Sequence, residues 1–127
     1  EFIKESNLEG NVFINNAVSN LQERLLDYSI YIMTSKTECF PMILLESLQV
    51  GLPIVSFDCP YGPRNIITNN EDGLLVDNQD TVAFAQKVNY LIENSEIRLE
   101  MGKKGRQNIQ RFAVNVVMDS WVEVLNS

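Results

Sequence analysis

The chain has 127 residues, a length that favours one domain with a core of its own. Its formal charge of −7 argues against unspecific binding to nucleic acid or to an anionic membrane surface. Histidine is absent, which excludes a histidine general base and histidine metal ligands in this chain.

Short apolar runs alternate with helical patterns along the chain. In the first half, the patterns predict a strand at 12–15, a helix from an N-cap at Ser19 through Asp27, a strand at 30–33, a helix from Pro41 to a stop at Gly51, and a strand at 54–57. In the second half, they predict a loop at 60–63, a short helix at about 64–68, a strand at 74–76, a helix capped by Asp80 or Thr81, and helices near 95–110 and 114–125. Continuous apolar strands separated by helices predict an α/β fold with a parallel sheet that helices cover on both faces.

Three of these helices carry apolar stripes that we assign to the core. The inward positions are Leu21, Leu25 and Leu26 in the first, Val82, Ala85, Val88, Leu91 and Ile92 in the second, and Val117, Trp121, Val124 and Leu125 in the last. The basic positions Lys103, Lys104, Arg106 and Arg111 resemble a polyanion site, but a solvated helix face is the favoured interpretation.

The most informative feature is a pair of glutamates, Glu38 and Glu46, eight residues apart around the predicted start of a helix. Pro41 favours a helix start because its φ is preset and no hydrogen bond is lost in the first turn. Glu38 then lies in the loop, Glu46 lies about one turn inside the helix, and free backbone N–H groups at 42–44 lie between them. This arrangement suits a ligand that carries hydroxyls and phosphate. For the pair alone, the alternative is a solvated Glu46 and a Glu38 that merely favours the helix N-terminus by its charge.

The surroundings of the pair resemble the E-x7-E motif of retaining glycosyltransferases with the GT-B architecture, the glycosyl transferases group 1 family. Further signatures of that family follow in the same order: Ser35, Phe40-Pro41, Gly51–Phe57, Gly62–Ile67, Asp72–Val76 and Arg111-Phe112. The resemblance implies that residues 1–127 are the C-terminal nucleotide-sugar-binding domain, with a Rossmann-like parallel sheet and without the N-terminal acceptor domain and the first βα units. If the chain begins here, the strand at 30–33 lacks a neighbour, and we expect rearrangement, chain exchange or a dimer that covers its edge.

The resemblance also implies roles for the motif residues. Glu38 is the expected catalytic residue, because it would hold hydroxyls of the transferred sugar while its charge stabilises an oxocarbenium-like transition state. Glu46 would accept hydrogen bonds from both ribose hydroxyls. The helix N-terminus would bind the distal phosphate through its amides, and the backbone of the preceding loop would contact the sugar; these substrate-binding positions are Cys39, Phe40, Pro41, Met42, Ile43 and Leu44.

Two further substrate-binding positions leave alternatives open. Gly62 allows close backbone approach to a ligand, and an ordinary turn explains it equally well. Asn16 stands where the family commonly has glycine, so it either hydrogen-bonds an edge of the base or is a routine turn residue. Asn65 stands where the family usually has glutamate, which puts a charged role there in doubt.

No metal or other cofactor is expected, because the family generally needs none in the donor site and the chain offers no Asp-x-Asp cluster. Cys39 and Cys59 follow no zinc or redox spacing, and we expect two free thiols in a reducing cytoplasm. The habits of the family place the full-length protein in the cytoplasm, peripheral to the inner face of the membrane, in polysaccharide or glycolipid assembly.

The expected function is transfer of a sugar from a nucleoside diphosphate to an unidentified hydroxyl acceptor, a sugar or a lipid-linked glycan, with retention of configuration. The family supplies the positive charge for the leaving diphosphate through an arginine and a lysine upstream of the matching segment, and neither has a counterpart here. The alternative is a non-catalytic module that binds a nucleotide sugar or a sugar, and the upstream coding sequence discriminates between the two. A receiver-type or dinucleotide-binding domain is disfavoured, because the chain lacks G-x-G-x-x-G after its first predicted strand and lacks an acidic phosphoacceptor cluster.

Overall fold

The computed structural model describes residues 1–127. The helices are α1 (Phe2–Glu5), α2 (Leu21–Leu25), α3 (Met42–Val50), α4 (Thr81–Glu93), α5 (Ser95–Asn108) and α6 (Val114–Leu125). The strands are β1 (Tyr31–Met33), β2 (Ile54–Asp58) and β3 (Gly73–Asp77), and two 3₁₀ turns span Pro63–Asn65 and Ile109–Phe112. The predicted alternation of strands and helices is confirmed from β1 to α6.

The three strands form one parallel sheet in the order β1-β2-β3. Tyr31 of β1 lies opposite Ile54 of β2, which in turn lies opposite Gly73 of β3. Alternate residues of a strand point to opposite faces, and β2 shows this directly. Ile54 belongs to one apolar cluster, whereas Val55 and Phe57 belong to the other. The predicted parallel sheet with both faces covered is therefore confirmed.

Each face of the sheet has its own apolar cluster. On one face, side chains of β2 and β3 pack with α4 and α5; the buried members are Val55, Phe57, Leu74, Val76, Phe84, Leu91 and Met101. On the other face, α3 supplies most of the cover; the buried members are Met33, Leu44, Leu48, Ile54, Ile66 and Ile67. Burial of these side chains fixes α3 against the sheet, and so fixes the position of its first turn.

Helix α3 ends where the sequence predicts. Gly51 takes a left-handed conformation with φ 78°, which glycine adopts without a steric cost, and its N–H bonds back to the carbonyl of Leu48. Helix α5 approaches this end closely, because a Cβ on Gly102 would overlap the carbonyl oxygen of Gly51. A Cβ on Gly105 would lie 3.0 Å from a methyl of Leu48. The two glycines of α5 therefore allow its backbone to pack closely against the C-terminal end of α3.

The predicted strand at 12–15 is wrong. Val12, Phe13 and Ile14 are exposed, with Ile14 88% accessible, and none pairs with a strand. Residues 13–15 also donate no backbone hydrogen bond. An apolar run is stable as a strand only when it pairs with a neighbouring strand, and residues 12–15 pair with none of the three strands.

The following helix is shorter than predicted. Asn20, not Ser19, is its N-cap residue, and the helix ends at Leu25, two residues before Asp27. Of the predicted inward face, only Leu25 is buried, and Leu26 is exposed. Few apolar partners lie beside this short segment, so only one of its leucines reaches the core.

In helix α4 the predicted N-cap is confirmed, and the predicted set of inward-facing residues is partly wrong. The Asp80 carboxylate accepts a hydrogen bond of 2.9 Å from the Ala83 N–H, as an N-cap does. The inward positions are Phe84, Val88 and Leu91, whereas Val82, Ala85 and Ile92 are exposed. The true face is spaced four and then three residues apart, which matches one side of a helix better than the predicted set.

Helix α6 and strand β1 both leave apolar surface open. No residue of α6 is buried, so the predicted assignment of its stripe to the core is wrong, and Trp121 is 57% exposed. Strand β1 pairs only with β2, and Ile32 beside its free edge is half exposed. An open edge at β1 agrees with the expectation from the sequence, while a dimer through it stays a prediction.

Candidate functional site

Three loops meet at the carboxyl edge of the sheet, where each strand ends. The side chain of Asn78, after β3, donates a hydrogen bond of 3.1 Å to the carbonyl of Lys36, after β1. Gly62, after β2, lies against the β1–α3 loop: a Cβ built on it would be 2.8 Å from the Cβ of Glu38 and 3.0 Å from the Cδ of Pro41. A side chain at position 62 would therefore displace the loop that holds Glu38, and glycine is required by close approach. Such edges are where parallel sheets bind ligands.

The first turn of α3 presents free amides toward this edge. Pro41 is the N-cap residue, with ψ 100°, and the helix begins at Met42. The N–H of Leu44 donates to the carbonyl of Pro41 at 3.0 Å, so the prediction that it is free is wrong. The first hydrogen bond of the turn starts one residue earlier than expected.

The remaining donors form a short run around Pro41. The amides of Cys39, Phe40, Met42 and Ile43 donate to no acceptor of the chain. Unsatisfied N–H groups at a helix start carry partial positive charge, and together they attract an anion. The side chain of Leu44 is fully buried in the core, so its part in any site is through the backbone.

Neither motif glutamate has a partner. Glu38 and Glu46 are both partly buried, and neither carboxylate accepts a hydrogen bond or contacts a cation of the chain. A partly buried carboxylate loses hydration, and structural carboxylates regain it through hydrogen bonds. Asp72 shows the contrast: it is buried and accepts from the Thr68 N–H at 2.8 Å and from Asn108 at 2.9 Å. The two glutamates are thus acceptors without donors.

The charges of both glutamates reach the same phenol. Burial raises the pKa of Tyr31 above its usual 10.0, and the negative charges of Glu38 and Glu46 raise it further. Burial is also the main cause that raises the pKa of the Cys59 thiol above 9.0, with Glu38 as the next contribution. Cys59 is buried and Cys39 is exposed, and both are free, as the sequence predicts. The negative charge of Glu38 therefore acts on both Tyr31 and Cys59.

Glu46 faces an open cleft of about 410 Å³ between α2, α3 and the turn at Ile109–Phe112. Its lining includes Met42, Gln22, Gln49 and Phe112. The amide of Gln22 donates to Gln49 at 3.4 Å across the cleft. Sequence reasoning missed both glutamines, although Gln49 follows Glu46 by three residues and so shares its side of the helix.

An aromatic contact ties the site loop to the far end of the chain. The ring of Phe40 packs edge-on against Phe112, with centroids 5.8 Å apart and planes at 71°. Arg111 lies over the Phe112 ring at 4.9 Å and donates to Thr68 Oγ1 at 3.3 Å and to the Ile66 carbonyl. Arg111 is exposed, as predicted for a solvated face, and its guanidinium in addition braces the loop after β2.

The structure brings most of the predicted site residues together at the start of α3, and Asn16 lies apart from them. Glu38, Pro41 and Gly62 are in contact, and Glu46 and Met42 line one cleft. Asn16 lies in the exposed segment before α2 and makes no side-chain hydrogen bond. No group of three or more His, Cys, Asp or Glu side chains is placed to hold a metal ion. No helix combines the length and apolarity needed to cross a membrane.

Comparison with known proteins matches the chain to one family. The family described as Glycosyl transferases group 1 matches residues 1–108. A poly(ribitol-phosphate) alpha-N-acetylglucosaminyltransferase of Staphylococcus aureus is 30% identical over 128 residues, covering 100% of this chain and 26% of that protein. The amylovoran biosynthesis glycosyltransferase AmsD of Erwinia amylovora is 31% identical over 126 residues, covering 99% of this chain and 35% of that protein.

The fold is also found in solved structures. A crystal structure of S. aureus TarM in complex with UDP and alpha-GlcNAc-glycerol aligns with a TM-score of 0.91 and 31% identity, covering 98% of this chain and 26% of that one. TarM has the GT-B architecture, so the Rossmann-like sheet predicted from the sequence is confirmed as part of a GT-B C-terminal domain. This chain spans about a quarter to a third of the length of these relatives.

Proposed function

Because this chain belongs to the glycosyl transferases group 1 family, we propose that it is the donor-binding part of a retaining glycosyltransferase. The full-length protein would transfer a sugar from a nucleoside diphosphate to a hydroxyl acceptor and keep the anomeric configuration. The observation that carries the proposal is the pair of partly buried, partnerless carboxylates, Glu38 and Glu46, on either side of a run of free amides. A nucleotide sugar carries ribose hydroxyls, then phosphates, then the hydroxyls of the transferred sugar. These groups match Glu46, the free amides and Glu38 in that order.

The diphosphate binds at the start of α3. Its distal phosphate accepts hydrogen bonds from the amides of Met42 and Ile43, and the helix dipole favours its charge. The amides of Cys39 and Phe40 extend the same run toward the transferred sugar. Leu44 is left out of this set, because its N–H is already bonded to Pro41.

Glu46 binds the ribose. A carboxylate has two oxygens, and each accepts from one of two neighbouring hydroxyls. The cleft beside Glu46 is wide enough for a sugar ring, and Gln22 and Gln49 offer amide groups along its wall. The UDP bound in the structure of TarM supports a nucleotide as the ligand.

Glu38 acts on the transferred sugar and is the catalytic residue of the proposal. As the bond to the diphosphate breaks, positive charge develops on the sugar ring, and a nearby carboxylate lowers the energy of that state. Gly62 keeps Glu38 in place, because no side chain stands between their backbones. We propose that no metal takes part in donor binding, so charge on the phosphates is met by amides and by basic groups of the full-length protein.

The names of the relatives support a proposal for the acceptor and for the cellular location. One of them is named for poly(ribitol-phosphate) and another for amylovoran biosynthesis, so we propose an acceptor hydroxyl on a growing polymer or on a lipid-linked glycan. Such polymers are built at membranes, and we propose that the full-length protein works in the cytoplasm at the inner face of the membrane.

We further propose that a second copy covers the open edge of β1 in the isolated chain. Sedimentation that shows a folded, strictly monomeric chain at high concentration would contradict this dimer.

Calorimetric titration tests the donor site. UDP, GDP, ADP and their sugars are titrated into the chain, into the gene product that contains it, and into Glu46→Ala and Glu93→Ala variants. We expect one nucleotide to bind, and Glu46→Ala to weaken it about 10- to 100-fold, the cost of losing a charged hydrogen bond. Glu93 lies exposed at the end of α4 and serves as the matched control.

The outcomes separate the two candidate functions. Binding that Glu46→Ala leaves unchanged contradicts the ribose role. Binding without sugar release from any donor in the full-length protein favours the non-catalytic module, and Glu38→Gln then has no activity to remove. Loss of turnover in Glu38→Gln, with nucleotide affinity kept, supports the catalytic role of Glu38.

A further inference from the structure

Tyr61 has an unusual backbone and an unusual exposure. Its φ is 71°, in the left-handed region that glycine and asparagine favour, and its side chain is 79% exposed. A residue other than glycine is strained there, and it keeps this conformation only where the surrounding structure imposes it. A large ring held out into solvent in that conformation calls for a cause in the surrounding loop.

The loop around Tyr61 is held on both sides. Cys59 and Pro63 are buried, so the chain is anchored before and after the exposed tip. Asn65 Nδ2 donates to the carbonyl of Tyr61 at 3.0 Å. Arg64 binds the Asp58 carboxylate with both nitrogens, at 2.8 and 2.7 Å. These contacts fix the backbone at position 61 and leave the ring free of them.

The ring borders an open cleft of about 490 Å³ at the carboxyl edge of the sheet. The other lining residues are Asp58, Pro60, Arg64, Asn65 and Asn78. An aromatic face beside carboxylate and amide groups matches the two surfaces of a sugar: the C–H face of the ring packs on the aromatic, and the hydroxyls bond to the polar groups. The exposed ring of Tyr61 and the Oδ1 of Asn65, which accepts no hydrogen bond from the chain, make this cleft suited to a carbohydrate.

The cleft continues the line of the proposed donor site. Glu46, the α3 amides and Glu38 follow one another from ribose to transferred sugar. Gly62, the neighbour of Tyr61, lies against Glu38, and Asn78 bonds to the same loop at Lys36. A group at Tyr61 therefore lies next to the proposed position of the transferred sugar, which the acceptor hydroxyl must reach in order to react.

We propose that Tyr61 is an acceptor-contact residue, whose ring packs against a sugar ring of the acceptor in the cleft between the β2 and β3 ends. The inference rests on the proposed function for the direction of transfer. Its carbohydrate chemistry rests on the cleft itself. Tyr61 acts by binding and orientation, and the reacting groups remain those of the donor site.

The test uses the gene product that contains this chain and the variants Tyr61→Gly, Tyr61→Phe and Tyr28→Ala. Glycine removes the ring and relieves the left-handed backbone, so Tyr61→Gly is expected to be as stable as the parent or more so. Tyr61→Phe keeps the ring, and Tyr28→Ala removes an exposed ring elsewhere. The probes are methyl glycosides of glucose, N-acetylglucosamine and N-acetylgalactosamine, followed by saturation-transfer NMR, and the nucleotide panel is followed by calorimetry.

We expect at least one methyl glycoside to bind, to lose about tenfold in affinity in Tyr61→Gly, and to keep its affinity in the two other variants. Nucleotide-sugar affinity should be the same in all four proteins. Absence of glycoside binding in the parent, or equal binding in Tyr61→Gly, overturns the proposal. Weaker donor-sugar binding in Tyr61→Gly also overturns it, because the ring then belongs to the donor. Failure of nucleotide binding in the parent counts against the donor site alone, since the glycoside arm is read independently.

Discussion

Two apolar runs near the start of the chain look alike and have different structures. Val12, Phe13 and Ile14 form one run, and Tyr31, Ile32 and Met33 form the other. The second run is strand β1, paired along its length with β2 and packed by Met33 against α3. The first has no strand partner, and its side chains are exposed. Both have the residue types that favour strands, so composition alone does not separate them.

The difference shows that strand formation depends on a neighbour more than on the run itself. A backbone taken from water must find hydrogen-bond partners, and β2 provides them to β1 but not to residues 12–15. The same contrast holds for the helices: α3 is packed between the sheet and α5, whereas α6 has an apolar face and no buried residue. The packed body carries the candidate site, while the two ends carry apolar surface.

The largest expected effect comes from shortening a side chain in the packed body. Ile54 is fully buried at the start of β2, the central strand, and Ile54→Ala removes three carbons from a close-packed cluster. We expect a loss of about 2–5 kcal/mol in the free energy of unfolding, from lost burial and the cavity left behind. Chemical unfolding followed by circular dichroism measures it.

Ile14→Ala is the matched control, because it makes the same change in the run without a partner. Its expected effect is about 0.5 kcal/mol or less, since Ile14 is almost fully exposed. Equal losses in the two variants would break the comparison and show that the first run is covered in solution.

A smaller effect is expected from Tyr31, which joins the paired run to the site. Its pKa is raised by burial and then by Glu38 and Glu46, so the folded chain holds the phenolic proton more firmly than the unfolded chain. This contribution to stability is fully present below the unfolded pKa of about 10 and is lost as pH rises through the higher folded pKa. The drop in the free energy of unfolding between about pH 8 and about pH 11 should therefore be smaller in Tyr31→Phe than in the parent.

Cys59 acts in the same direction, since its pKa is raised above 9.0, and Tyr31→Phe keeps that thiol. The part of the alkaline loss that remains in the variant is expected from Cys59, and Cys59→Ala should remove it. If Tyr31→Phe shows the full alkaline loss of the parent, neither burial nor the two carboxylates raise the pKa of this phenol.

The parts of the fold that could be predicted from the sequence have local signals. The bounds of α3 follow from Pro41 and Gly51, the cap of α4 from Asp80, and the place of Glu38 before α3 from the order of strand and helix. The contacts that could not be predicted join distant positions. Arg111 bonds to Ile66 over 45 positions, and no periodicity in either segment indicates the partner.

The same limit applies to the candidate site. Two carboxylates and a helix start are visible in twelve consecutive residues, whereas the closeness of Gly62 to Glu38 depends on how two loops meet. The left-handed backbone of Tyr61 has no sequence signal, because tyrosine is not a residue that favours it. Site residues that lie in one segment can be predicted from the sequence. Contacts between site residues of distant segments are known only from the structure.

The smallest expected effect concerns α6, and it tests whether the ends are open. Trp121 is the only tryptophan, so tryptophan fluorescence, excited selectively over the four tyrosines, reports on this helix alone. With 57% of the side chain exposed, we expect emission like that of indole in water, ready quenching by iodide, and a stability change of about 0.5 kcal/mol or less in Trp121→Ala. Blue-shifted emission that dilution reverses would mean that a second copy covers α6. The division into a packed body and open ends would then describe a single chain and not its state in solution.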